Sequence, residues 1–80
     1  MRKHRSLRPV KPNECEKVAL ILGFIYKSTK GSHKHFKKEN FGKVTIPQYS
    51  EISGELFANI CRQMDISKNE FFEILEKKEK

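Results

Sequence analysis

Cysteine is scarce in this chain of 80 residues, and the two it has, Cys15 and Cys61, cannot build the disulfide framework that holds many small secreted domains together. Both fall at positions that read as buried helix faces, so reduced, packed thiols are expected. Long apolar runs are missing too. The longest, "VALILGFI", is interrupted by Gly23 and is too short to span a bilayer. The opening "MRKHRSLRPVKP" is basic but lacks the apolar stretch of a signal peptide, which suggests a cytoplasmic protein with no membrane association. Ligand pairs at metal-finger spacing are absent. His33 and His35 would need two more ligands, and only separated cysteines and His4 remain, so neither a metal nor another cofactor is expected. Acidic residues are few in the first half: residues 1–43 carry twelve Lys/Arg against three acids, whereas residues 44–80 carry five against seven. No internal repeat is present.

What is there fits one small domain whose core is a handful of side chains, so function should sit on a surface. A one-sided positive field attracts polyanions, nucleic acid above all, because each neutralised phosphate releases condensed counterions. Residues 1–11, with five Lys/Arg and no acid, read as a flexible basic arm that serves either RNA affinity or only solubility, the former being favoured. Ordered structure is expected over residues 12–76, followed by a frayed charged tail at 77–80.

In "PNECEKVALILGF", Asn13 is the expected helix cap and Glu16, three residues later, the group that returns the bond. Cys15, Val18, Ala19 and Leu22 recur at helical spacing, and Gly23 supplies a left-handed stop onto which Phe24 folds back. Leu20 and Ile21 fall off that face. They are expected to pack against a later element, with a partner-binding patch as the other reading. From Phe24 the period approaches two in "FIYKST", "HKHFKK" and "GKVTIP", with Gly31 and "ENFG" as turn signals and Pro47 as the end of the third strand. Helical spacing returns after Ser53 with Leu56, Phe57, Ile60, Cys61 and Met64, and stops at Asp65. "SKNE" at Ser67 to Glu70 is a second capping box, leading into Phe71, Ile74 and Leu75. The order is helix, three strands, helix, short helix: an α+β fold of two layers, with a three-stranded antiparallel sheet packed on helices and its other face wet.

The strand region supplies Lys27, Lys30, Lys34, Lys37, Lys38 and Lys43, interleaved with Tyr26, Phe36 and Phe41. Lysines hold phosphates and exposed rings stack on unpaired bases, although the rings could equally turn inward under a solvated face. The charge asymmetry favours nucleic acid. His33 and His35, two apart on a strand, share one face. A neutral imidazole beside bound RNA can take the proton of a ribose 2′-hydroxyl, which then attacks the adjacent phosphate. Nearby lysines would keep that base neutral and stabilise charge building on the phosphate.

These features come together in a resemblance. "GFIYKSTKGSHKHF", then "KVTIPQY", then "SGELFANICRQMDISKNEF" resemble, in order and spacing, the HicA family of bacterial and archaeal toxins, small ribonucleases of type II toxin–antitoxin pairs. The likeness covers about residues 10–75. It implies a fold similar to the double-stranded RNA-binding domain, α-β-β-β-α, cleavage of messenger RNA, and neutralisation by a HicB-type antitoxin that covers the site. By position the implied catalytic residue is His33 of the G-S-H motif, with Gly31 making the turn. Ser32, His35 and Tyr49 are expected in supporting roles. The family usually has an apolar residue at the place of His35, often a histidine at that of Tyr49, and commonly a glycine at that of Asp65. The expectation is a metal-independent endoribonuclease toxin. Its rivals are an RNA-binding module that does not cut, and an interaction protein working through Leu20, Ile21 and the basic sheet face.

Overall fold

The computed structural model describes residues 8–78. Helix α1 (Pro12–Ile21) starts earlier than expected: Lys11 is the cap position, and its N–H donates to the Glu14 carboxylate at 2.8 Å. Pro12 decides this. It has no N–H to satisfy and its ring presets a helical φ, so it belongs at the first helical position; the returning carboxylate is that of Glu14 rather than Glu16, and Lys11 makes no side-chain cap bond in place of the expected Asn13. At the other end the Gly23 N–H donates to the Leu20 carbonyl and the Phe24 N–H to the Ala19 carbonyl. Gly23 stands at φ +102°, which a side chain would strain, so the expected left-handed stop is in place.

Strands β1 (Ile25–Lys30), β2 (His33–Lys38) and β3 (Gly42–Pro47) form one antiparallel sheet in the order β1-β2-β3. Lys30 pairs with His33 across a two-residue turn whose first member, Gly31, has φ +58°. That turn needs glycine for its backbone, since space around the Cα is open. A bulge between Tyr26 and Ser28 leaves Lys27 as an extra residue on β1. Helices α2 (Gly54–Met64) and α3 (Lys68–Lys78) follow. Asp65 ends α2 at φ +63°, a left-handed position for a residue with a side chain. The Ser67 box forms as read: the Glu70 N–H donates to the Ser67 hydroxyl at 3.1 Å and the Ser67 N–H to the Glu70 carboxylate at 2.8 Å. The fold is therefore α+β, and α3 is as long as α2.

All three helices lie on one side of the sheet, around a core built from Cys15, Val18 and Ala19 of α1, Phe36, Val44 and Ile46 of the sheet, and Phe57, Ile60, Cys61 and Met64 of α2. Phe57, Phe71 and Phe72 meet edge to face with centroids 4.9–5.7 Å apart, which locks α3 onto α2. Leu20 and Ile21 are 54% and 37% exposed, contrary to the expected packing. The stripe of Cys15, Val18 and Ala19 is the one that meets β3 and α3, and among the described residues no element covers the next face around. Residues 8–11, expected in a flexible arm, belong to the domain. Val10 is buried and exchanges two backbone hydrogen bonds of 2.8 Å with Ile52, because the loop before α2 presents a free edge there. Arg8 lies 4.9 Å over the Phe72 ring and pairs with Glu14 at 3.3 Å. Burial opposes ionisation of Glu14, but the Lys11 N–H and the Arg8 guanidinium outweigh it and hold the carboxyl below its usual value. The remainder of the expected arm, residues 1–7, and residues 79–80 of the expected tail lie outside the described residues, while α3 runs on through Lys78.

Candidate functional site

Register and alternation divide the sheet residues between its two faces. Lys34 pairs with Ile46 and Phe36 with Val44, and those partners are buried, so Lys34, Phe36 and Lys38 face the helices. His33, His35 and Lys37 face the other way, across from Pro47, Thr45 and Lys43 of β3. On β1, Ser28 pairs with His35 and Lys30 with His33. The bulge at Lys27 is what allows Lys27, Ser28 and Lys30 to share this open face, a pattern that strict alternation would forbid.

A shallow depression of about 350 Å³ occupies the open face, lined by Lys27, Ser28, Lys30, His35, Phe36, Lys37 and Lys43. His35 lies half-buried within it, with Nδ1 3.2 Å from the Thr45 hydroxyl. His33 begins β2 beside the Gly31 turn, half-buried, with its ring edge-on to Tyr49 at a centroid separation of 6.1 Å. The turn is tied down by the segment that follows β3, since the Gln48 N–H donates to the Ser32 carbonyl at 2.7 Å. Ser32 and Tyr49 are exposed at this end of the sheet.

Of the six lysines singled out in the sequence, four line the depression. Lys34 turns toward α1 and pairs with Glu16 at 3.3 Å. Lys38 lies over the Phe41 and Phe24 rings, 5.1 and 5.9 Å from their centroids. Among the aromatics, Phe36 is buried. Tyr26 is exposed on the helix side of β1, where its hydroxyl meets that of Thr29, and Phe41 packs edge-on against Phe24. The open face is thus imidazole and ammonium, with little aromatic surface.

Lys37 and Lys43 sit directly opposite each other, and among the described residues neither joins an ion pair with a carboxylate. Like charges across a ladder cost stability, so this face carries a standing repulsion that an anion would relieve. Chemically the arrangement can bind phosphates through lysine, and it can move protons through two imidazoles. The reading from sequence missed Thr45, whose position opposite His35 depends on register, and the helix-side fate of Lys34 and Lys38. The period-two pattern around Phe36 carried a signal for the latter.

Among the described residues no three His, Cys, Asp or Glu side chains come together as a metal site would require, and no helix is long and apolar enough to cross a membrane. Burial pushes the Cys15 thiol up to about 12 and the Cys61 thiol up to about 11, which removes both as nucleophiles near neutrality. No curated protein matches the chain. A family model described as the HicA toxin of bacterial toxin–antitoxin systems matches residues 12–66, which run from the first residue of α1 through the turn that ends α2 and contain the whole open face. The chain therefore belongs to the HicA toxin family, and with membership comes the place of a toxin held in check by an antitoxin partner.

Proposed function

We propose that this toxin is a metal-independent endoribonuclease that cleaves messenger RNA on the open face of the sheet, with His33 as general base. The observation that carries the reading is the clustering of two imidazoles and four lysines, Lys27, Lys30, Lys37 and Lys43, on one solvent-facing surface of a HicA-family chain. The lysines hold the backbone phosphates. His33 takes the 2′-hydroxyl proton, and the 2′-oxygen attacks the neighbouring phosphorus, leaving a 2′,3′-cyclic phosphate and a 5′-hydroxyl. Lysine near the phosphate stabilises the charge that builds there. DNA lacks the attacking group and is spared. Tyr49, edge-on to His33, limits the ring's swing, and the Ser32 hydroxyl is exposed where a phosphate would pass.

A HicB-type antitoxin with an acidic surface would neutralise the toxin by covering this basic face, and the setting would be the cytoplasm, where messenger RNA is found. The purified protein, incubated with unstructured RNA in EDTA, should produce fragments with those two kinds of end. Tight binding without cleavage would replace the nuclease reading with that of an RNA-binding module. Abolition of cleavage by EDTA would replace it with a metal mechanism.

A further inference from the structure

We propose that His35 is the general acid of this reaction, held for the task by Thr45. The inference rests on the nuclease reading above and adds the group that delivers a proton to the leaving oxygen. His33 and His35 stand on the same face of β2, two residues apart, which at a rise of about 3.3 Å per residue separates them by roughly 6.6 Å along the strand. In an in-line displacement the attacking O2′ and the departing O5′ lie on opposite sides of one phosphorus. Two imidazoles at that spacing can therefore each reach one of the two oxygens through a hydrogen bond of about 2.8 Å.

Thr45 supplies the orientation. Its hydroxyl lies directly across the ladder from His35 and 3.2 Å from Nδ1, so Nε2 is the ring nitrogen left to face the depression. With the threonine oxygen accepting from Nδ1–H, the proton that departs is the one on Nε2, and the ring relaxes to the tautomer that Thr45 already holds. The groups facing His35 are Lys27, Ser28 and Lys30 of β1, His33 and Lys37 of its own strand, and Lys43 and Thr45 of β3, while the helices pack on the other side of the sheet.

The step balances. The O2′–H proton passes to His33 and the O2′–P bond forms. The P–O5′ bond breaks with its electron pair on O5′, which takes the Nε2 proton of His35. His33 ends as imidazolium and His35 as neutral imidazole, and exchange with water resets both.

The test compares the unmodified protein with His35→Ala, His35→Gln and His33→Ala on two RNAs of one sequence. One is ordinary, and the other carries sulfur in place of the bridging 5′-oxygen at the cleaved bond, a leaving group that needs no proton. Loss of the acid should slow cleavage of ordinary RNA about 10²–10⁴-fold in both His35 variants, while the sulfur-containing RNA is cut within about threefold of the normal rate. His33→Ala should be impaired on both. The alkaline fall of the pH–rate profile, which reports an acid that must stay protonated, should disappear in the His35 variants. Equal losses on the two RNAs, or undiminished cleavage of ordinary RNA by His35→Ala, would overturn the assignment while leaving the nuclease intact. Failure of the unmodified protein to cut either RNA would overturn both readings.

Discussion

Cys15 and Cys61 lie in the core with their thiols pushed up to about 12 and about 11 by burial, so neither ionises in the folded protein near neutral pH. In the unfolded chain a thiol ionises near its ordinary value of about 8.5. A raised pKa in the folded state means stability that is complete below that value and is lost as pH rises through it. Thermal unfolding midpoints should therefore hold steady to about pH 8 and decline on the way to pH 11, and Cys15→Ala with Cys61→Ala should flatten the decline. A thiol-reactive chromophore at pH 8 should label neither cysteine until the protein unfolds. Burial of the two thiols was legible from helical spacing alone. The partners of the histidines were not, because contact across a ladder depends on register, and register here is set by the Gly31 turn and by a bulge at Lys27 that no local pattern announces.

The sheet is the element that gathers the candidate site, and it does so against its own stability. Lys37 and Lys43 face each other across β2 and β3. Replacing Lys43 by Glu turns a repulsive cross-strand pair into an attractive one and should stabilise the fold by about 0.5 kcal/mol, measured by urea unfolding. The same change should weaken RNA binding, so stability and affinity move in opposite directions. If Lys43→Glu leaves RNA affinity unchanged, the open face is not where RNA lies. The strands were legible almost to the residue, since β1 and β3 carry β-branched and aromatic residues, β2 alternates around Phe36, and glycine or asparagine turns separate the three. The start of α1 was read too late because Asn13 looked like a cap, whereas Pro12 fixes the first turn and Glu14 completes it. Leu20 and Ile21 misled for a different reason. Periodicity tells which residues share a face of a helix, but not whether another element arrives to cover it.

At the scale of the whole molecule, the helices with their acids occupy one side and a lysine-lined histidine face the other, the polarity expected of a small protein whose substrate is a polyanion. Four lysines on the open face predict that the logarithm of RNA affinity falls with the logarithm of salt with a slope of about −3, reduced by roughly 0.7 for each lysine removed. Lys34→Ala, which breaks a pair with Glu16 on the helix side, should leave that slope unchanged. The fold class and the one-sided charge were both legible in 80 residues. The division of the lysines between the faces was legible only once Phe36 was known to point inward. The most direct test of the central claim is cleavage of unstructured RNA in EDTA by His33→Ala beside the unmodified protein, with RNA affinity measured for both. Cleavage should fall by about 10²-fold or more while affinity stays within about threefold, as loss of a general base requires. Undiminished cleavage by His33→Ala would contradict the account.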